Sequence, residues 1–174
     1  MATFGTTAEG TGTSTSWTDT PFALLAALGE DGVVSKISAM LANSSVGACY
    51  CKAAIYSNNA GDPNALQAVS GAVSIPGSSA LAWYDFEFAS PVELATASWW
   101  LTILPNKDAG GLGIARFDSG TGTSAYWADD YTDGPLETVT THTDWTRNLS
   151  IYATYTLPGS GISIPLLNHL LLGD

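Results

Sequence analysis

The chain has 174 residues, a length that suits one domain with a sizeable core. Its composition, 45% hydrophobic and only 12% charged, excludes a chain that is disordered throughout. The formal net charge of −11 makes nucleic acid a poor partner, because binding a phosphate backbone requires Lys and Arg, and it equally disfavours an anionic membrane surface.

The N-terminal stretch, residues 1–20, is rich in Thr, Gly and Ser. We predict an extended arm that orders only against another surface, with a floppy terminus as the equal alternative. The opening MATFGTTAEG lacks both the basic and the apolar region of a signal peptide. No apolar run approaches the roughly 20 residues that span a membrane. We therefore expect neither secretion by a signal peptide nor a membrane anchor.

Alternating apolar and polar residues predict a series of strands after the arm. The run FALLAAL, residues 22–28, fits a strand or a helix, because Pro21 and Gly29 are typical of a helix start and stop. The remaining predicted strands are 33–41, 49–56, 66–69, 72–75, 81–88, 98–104, 110–117 and 147–157. Residues 119–143 are a long, loop-rich stretch. Many short strands separated by turn signals predict an all-β sandwich.

The most specific stretch is GACYCKAAIYSNNAGDPNALQAVS, residues 47–70, in which we predict a strand, a polar turn over residues 58–64 and a second apolar segment. Its first half has small residues on one face, among them Cys49 and Cys51, so a bulky strand must lie opposite, and 98–104 supplies one. Side chains two apart on a strand are about 6.5–7 Å apart, so we expect no disulfide between these cysteines. We interpret them as small buried residues, and half of a metal site is the alternative.

The C-terminal segment changes character after Pro158. Residues 159–161, Gly-Ser-Gly, form a flexible hinge, and the following apolar segment is too short for a stable isolated helix and too apolar to stay in water. We predict that this tail docks on another polypeptide, with folding back on its own domain as the alternative. Its large aliphatic residues are Ile162, Ile164, Leu166, Leu167, Leu170, Leu171 and Leu172.

Catalytic chemistry finds little support in the sequence. No G-x-S-x-G motif is present, and the only histidines, His142 and His169, lie in a polar loop and in the apolar tail. Asp85 and Glu87 share one strand face, and we interpret them as solvated rather than catalytic. We predict no enzyme, no cofactor and no metal, although the acidic loop from Asp129 to Asp133 partly resembles a calcium loop and leaves that point open.

Aromatic residues raise two alternatives. Trp83, Trp100, Trp127 and Trp145 would bind sugars if their rings were exposed, but packing in a core or an interface is the favoured interpretation. In the loop-rich stretch we predict protein contacts at three aromatic residues. They are Tyr126, Trp127 and Tyr131.

Three stretches carry a resemblance to a known family. KAAIYSNNAGDPNALQAVSG, GEDGVVSKISAML and RNLSIYATYTLPG resemble signature strands of a jelly-roll domain found in bacteriophage virion proteins and some secreted bacterial proteins. The resemblance implies an all-β jelly-roll sandwich of about eight antiparallel strands over residues 21–158, and it makes 22–28 a strand. The arm, 1–20, and the hinge and tail, 159–174, would flank this domain.

The resemblance implies a structural role. We expect a capsid decoration (cement) protein on the surface of the phage head, made in the host cytoplasm and bound to the major capsid protein. A tail-associated virion protein is the less favoured structural role. By analogy with decoration proteins we expect a homotrimer. The alternative is a carbohydrate-binding module of a phage tail or secreted protein, with a glycan as the partner.

Overall fold

The computed structural model describes residues 1–14, 19–106 and 114–159, and this part of the chain contains twelve strands and no helix. No helix in these ranges is therefore long and apolar enough to cross a membrane. The strands are β1 (Ala2–Gly5), β2 (Gly12–Ser14), β3 (Phe22–Leu28), β4 (Gly32–Ala42), β5 (Cys49–Asn59), β6 (Asp62–Val69), β7 (Val73–Ile75), β8 (Ala82–Leu94), β9 (Ala97–Pro105), β10 (Ile114–Tyr126), β11 (Thr143–Leu149) and β12 (Ile151–Thr156).

All twelve strands belong to one antiparallel sheet. Hydrogen-bonded neighbours follow the order β1-β12-β4-β10-β3-β9-β5-β6. Strand β8 joins β4, strands β2 and β11 join β10, and β7 joins β5. The predicted all-β class and the strand at 22–28 are confirmed, whereas the described strands outnumber the eight or so that we expected.

One large apolar cluster, the main core, takes side chains from strands that are distant in this order. Ile37 and Phe86 come from β4 and β8, and Ile55 and Leu101 come from β5 and β9. All four are fully buried. Since strands β4, β8 and β12 contribute to the same cluster as β3, β5 and β9, the sheet folds over on itself around this core.

The alternation of residues 49–55 correctly predicted the face of β5 that meets the main core. Cys49, Cys51, Ala53 and Ile55 are all buried there. Leu101 and Ile103 of β9 lie in the same cluster. Strand β9 does not lie opposite β5, as we expected, but pairs directly beside it, with Ile103 next to Ala53 and Leu101 next to Ile55.

The N-terminal stretch is extended, and it is ordered on the sheet of its own chain. Strand β1 pairs with β12, with Ala2 opposite Tyr155, and β2 pairs with β10. Phe4 enters the main core, where its ring contacts that of Tyr155 edge-on with the centroids 6.0 Å apart. For residues 2–5 and 12–14 the surface that orders the arm is therefore the sheet of its own chain, and the alternative of a floppy terminus is wrong there.

Two predictions about the C-terminal half are corrected. Strand β10 continues to Tyr126 instead of ending at residue 117, so the long loop spans only 127–142. The predicted closing strand 147–157 is divided between β11, which pairs with β10, and β12, which pairs with β4. The chain changes partners at Ser150, whose backbone bonds to Met40 and Arg116.

The turn between β5 and β6 is tighter than the sequence indicated. It consists of Ala60 and Gly61, both with positive φ, at 57° and 109°. Positive φ at both central residues is the geometry of two-residue hairpins that suit the twist of the flanking strands. The predicted polar turn over 58–64 was too long, because Asn58 and Pro63 already form a cross-strand pair.

Candidate functional site

The loop 127–142 lies across the face of the sheet opposite the main core. Beneath it is a second apolar cluster, the outer cluster, to which strands β3, β5, β9 and β10 contribute residues. Its buried members are Ala23, Ala54, Tyr56, Trp100, Ala125, Trp127 and Val139. The strands at this place therefore bury both faces.

Backbone hydrogen bonds hold the loop to the edge strand β6. Leu66 N donates to Glu137 O at 2.9 Å, and Val139 N donates to Asn64 O at 2.9 Å. From β5, the Tyr56 hydroxyl donates to Leu136 O at 2.9 Å. The loop therefore acts as a further edge element of the sheet.

Trp100 and Trp127, two of the four tryptophans named as possible sugar-binding residues, are buried in the outer cluster, which confirms the favoured interpretation of core packing for both. Trp100 is fully buried, and its indole N–H donates to Asn58 Oδ1 at 3.2 Å. Trp127 packs edge-on against Tyr56 with ring centroids 5.5 Å apart. An open aromatic platform formed by these two residues is thereby excluded, because the loop occupies the space above them.

The loop carboxylates bind backbone groups within the loop. Asp129 accepts hydrogen bonds from the N–H groups of Asp130 and Leu136, at 2.8 and 3.1 Å. Burial raises the pKa of Asp129, and these backbone bonds oppose the shift. The indole N–H of Trp127 lowers the pKa of Asp129 by a smaller amount. Asp130 accepts from the N–H and hydroxyl of Thr132.

The three predicted contact residues make contacts within their own chain. Tyr131 lies under the Lys52 ammonium, whose Nζ is 4.4 Å from the ring centroid and donates to Tyr131 O. Tyr126 is half-buried and Trp127 is almost completely buried. A role of these residues in subunit contacts stays a prediction, and Trp127 is the one with the least surface to offer.

A cleft of about 280 Å³ opens at the base of the loop, where β10 ends and β11 begins. Its lining combines aromatic rings with hydroxyl groups and one imidazole. The lining residues are Thr20, Tyr126, Trp127, Ala128, Thr141, His142 and Thr143.

His142 is the best-positioned ionisable group in this cleft. Its side chain is only 15% exposed, and its Nε2 lies 3.2 Å from Asp144 Oδ1 and 3.4 Å from Asp62 Oδ1. Nothing in the sequence indicates this contact, because Asp62 belongs to the β5–β6 hairpin, 80 positions before His142. In the described ranges no group of three or more His, Cys, Asp or Glu side chains is arranged to hold a metal ion.

Beside the cleft the rings along β10 and β11 form a stack. The Tyr126 and Trp145 centroids are 4.5 Å apart. The Arg147 guanidinium lies 4.1 Å from the Trp145 ring and 4.1 Å from the Phe117 ring. These contacts hold Tyr126 in place at the wall of the cleft.

The two cysteines are free and fully buried, and no disulfide joins them. Their sulfurs are 3.9 Å apart, closer than we expected from strand spacing, because the two side chains lean towards each other. The contact lowers the pKa of Cys49 and raises that of Cys51, whose burial adds to the rise.

Asp85, one of the two carboxylates predicted on one face of β8, has partners on the neighbouring strand β4. Asp85 binds Lys36 and accepts a hydrogen bond from Ser38 at 2.6 Å. Burial opposes ionisation, but these two bonds together lower the pKa of Asp85. On the same face Trp83 packs edge-on against Tyr152, with centroids 5.0 Å apart. Asp85 is thus engaged in an ion pair between neighbouring strands.

The predicted docking tail lies outside the described residues, which end at Gly159. This applies to all seven of its aliphatic residues, Ile162, Ile164, Leu166, Leu167, Leu170, Leu171 and Leu172.

Comparison of the sequence with protein-family models and with curated proteins gave no match to this chain.

Proposed function

We propose that the chain is a non-enzymatic structural protein of a bacteriophage particle, a decoration (cement) protein that bridges subunits of the capsid. Support comes from the position of the three stretches that resemble virion jelly rolls. They fall on β4, on the β5–β6 hairpin and on β11–β12. Strands β4 and β12 are direct neighbours, and Ile37, Ile55 and Ala153 lie in one core.

We further propose that the folded-over sheet is a jelly-roll sandwich. A sandwich buries side chains from both layers in one core, and the main core receives them from strands at both ends of the sheet order. This packing is consistent with a jelly roll and supports the family resemblance.

In the described residues no Ser or Cys lies in the cleft beside His142, and this supports a structural role over catalysis. His142 is flanked by Asp62 and Asp144, yet the cleft beside it is lined by neither Ser nor Cys. Asp85 is neutralised by Lys36. A hydrolase of the common nucleophilic type needs a nucleophile in contact with its base.

The apolar tail is proposed as the element that reaches the partner. Each large aliphatic side chain that becomes fully buried contributes about 1.5–3 kcal/mol, whereas ordering the backbone costs about 1–2 kcal/mol per residue. One tail therefore docks weakly. In a trimer on a symmetric shell the later contacts become intramolecular and the attachment becomes strong. A protein that binds the assembled capsid and not its free subunits stabilises the assembled state by mass action.

The test compares three proteins for binding to emptied capsids of the phage that encodes the chain. They are the full chain, a truncation after Pro158, and a full-length control in which Leu166, Leu167, Leu170 and Leu171 are replaced by Ser. We expect electron microscopy to show ordered decoration by the full chain only, while all three proteins retain the same melting temperature. Light scattering should give a trimer for the full chain.

The opposite result would be a truncated protein that still decorates capsids but melts well below the full chain. The tail would then belong to the folded domain. Failure of all three proteins to bind capsids would contradict the cement function itself.

A further inference from the structure

Three neighbouring strands, β8, β4 and β12, turn one face away from the main core. On β8 the side chains of Tyr84 and Phe86 pack in the main core, so alternation along the strand places Trp83 on the opposite face. On β12 Ala153 lies in the main core, and the adjacent Tyr152 is therefore also on the outward face. Both outward aromatic side chains are half-buried. We call this surface the β8–β4–β12 face.

The two aromatic rings meet above β4, which lies between β8 and β12. Trp83 is the register partner of Met40 on β4, and Tyr152 is the register partner of Ser38. The ring centroids of Trp83 and Tyr152 are 5.0 Å apart, so both rings lean over β4. Met40, which points to the same side, is only 6% exposed. The two rings therefore form one apolar platform on this face.

A charged and hydrogen-bonded group lies beside the platform. Register places Ser38 between Asp85 on β8 and Tyr152 on β12. Asp85 accepts a hydrogen bond from the Ser38 hydroxyl at 2.6 Å and binds the Lys36 ammonium. The side chains of Asp85 and Lys36 are 48% and 29% exposed, so the carboxylate offers acceptor sites and the ammonium offers donor sites to solvent. A fixed donor and a fixed acceptor thus lie next to apolar rings.

This combination of groups decides which partner suits the face. The cores of protein interfaces are depleted of Lys and Asp, because burying these charges costs their hydration. An apolar segment such as the tail would cover the ion pair without bonding to it. Lys36 and Asp85 neutralise each other, so a charged ligand gains no net attraction from the pair. A neutral polyol satisfies both groups, because each hydroxyl donates and accepts hydrogen bonds.

We propose that the β8–β4–β12 face binds a neutral polysaccharide. The C–H faces of successive pyranose rings pack on Trp83 and Tyr152. Neighbouring hydroxyls donate to Asp85 and accept from Lys36 in charge-assisted hydrogen bonds, which are stronger than bonds between neutral groups. A sheet face can hold several units of a sugar chain, so an oligosaccharide should bind more tightly than its monosaccharide.

The sequence indicated Trp83 as one possible sugar-binding residue, and strand register brings the other groups to it. Tyr152 is distant in the chain and lies on another strand, and nothing local indicates that the two rings meet. The inference is independent of the capsid-binding proposal, because it concerns the outward face of the sheet and leaves the tail unused. Sugar binding and capsid binding are measured separately, so either proposal can fail without the other.

The test uses the full chain and four neutral probes: maltohexaose, cellohexaose, mannohexaose and N-acetylated chitohexaose. Calorimetric titration should detect binding of at least one probe, with the corresponding monosaccharide bound at least about tenfold more weakly. Trp83→Ala and Tyr152→Ala should each weaken binding by about tenfold or more, and Asp85→Asn by about tenfold. Tyr50→Ala removes an exposed ring from β5, outside this face, and is the matched control that should bind like the wild type.

The proposal is overturned if none of the four probes binds, or if the Ala variants of Trp83 and Tyr152 bind as tightly as the Tyr50→Ala control. It is also overturned if a monosaccharide binds as tightly as its hexasaccharide, since the site would then hold a single sugar. Circular dichroism of each variant establishes that a loss of binding is not a loss of fold. Asp85→Asn, a change of similar size at a half-exposed position, tests the same face without removing a ring.

Discussion

The main core and the outer cluster lie on opposite faces of the same strands, yet they are closed in different ways. On β9, Leu101 faces the main core, and the adjacent Trp100 faces the outer cluster. Both residues are fully buried. The main core is closed by other strands of the sheet, whereas the outer cluster is closed by the loop 127–142. The comparison shows that full burial of a side chain does not reveal how firmly its cover is held.

The largest effect is expected in the main core. Phe86→Ala removes a fully buried ring of β8 from the main core, where the surrounding side chains of other strands limit collapse into the cavity. We expect the free energy of unfolding to fall by about 3–5 kcal/mol. Urea denaturation measures this free energy. In hydrogen-exchange experiments on the variant, all amides of the sheet should lose protection together. Protection that is lost only near β8 would mean that the main core is not one cooperative unit.

A smaller and more local effect is expected from the cover of the outer cluster. Trp127→Ala should lower the free energy of unfolding by no more than about 3 kcal/mol, the low end for a buried tryptophan. The loop can move into the cavity that the ring leaves, whereas a strand held by neighbouring strands moves less. Hydrogen exchange should accelerate at the amides of Leu66 and Val139, which pair the loop with β6. Unchanged exchange at Ile37 in β4 is the internal control. Equal acceleration at Ile37 would remove the distinction between the two clusters.

The third change should stabilise the protein. Thr102 lies on β9 beside Trp100, and its buried hydroxyl has no hydrogen-bond partner in the described residues. Thr102→Val keeps the shape and removes an unpaired polar group, which costs about 1–3 kcal/mol when buried. A rise in the urea midpoint with an unchanged slope is the expected result. Thr102→Ser, which keeps the hydroxyl, should give no gain, and a fall with Val would indicate that a bound water satisfies the group.

The smallest effect concerns the hydroxyl of Tyr56, which bonds to Leu136 O. Tyr56→Phe should cost about 0.5–1.5 kcal/mol at neutral pH. Burial, with smaller contributions from Asp129 and Glu137, raises the pKa of Tyr56 well above its ordinary value near 10. Because its pKa is raised, the Tyr56 hydroxyl stays protonated in the folded protein at a pH at which it ionises in the unfolded chain. The contribution of this hydroxyl to the free energy of unfolding is therefore fully present below about pH 10 and is lost as the pH rises further.

In the Tyr56→Phe variant the free energy of unfolding should fall less steeply above about pH 10 than in the wild type. Denaturation at several pH values above neutrality tests this for the wild type and Tyr56→Phe, with Tyr50→Phe as an exposed control. Identical slopes for all three proteins would show that the loop does not shield Tyr56 from ionisation.

The sequence was sufficient for the main core and insufficient for the outer cluster. Alternation along β5 and β9 identifies Ile55 and Leu101 as inward, because a period of two marks one buried face. Nothing local indicates that Tyr56 is covered by a segment 80 residues away. The same separation hides the meeting of His142 with Asp62. Polar loop composition predicts exposure, and here backbone pairing with β6 overrides that expectation.

The pairing of the first strand with the last has a consequence for how the chain acquires its structure during synthesis. Ala2 lies opposite Tyr155, and β12 also separates β1 from β4. Strand β1 leaves the ribosome long before its partner β12, which emerges only after the other described strands have been made. Phe4 therefore remains solvent-exposed through most of translation, and sheet completion depends on contacts of very large sequence separation, which makes folding slow. A nascent chain arrested before Ile151 would present unpaired edges of β1 and β4, which are sites for aggregation between ribosome-bound chains.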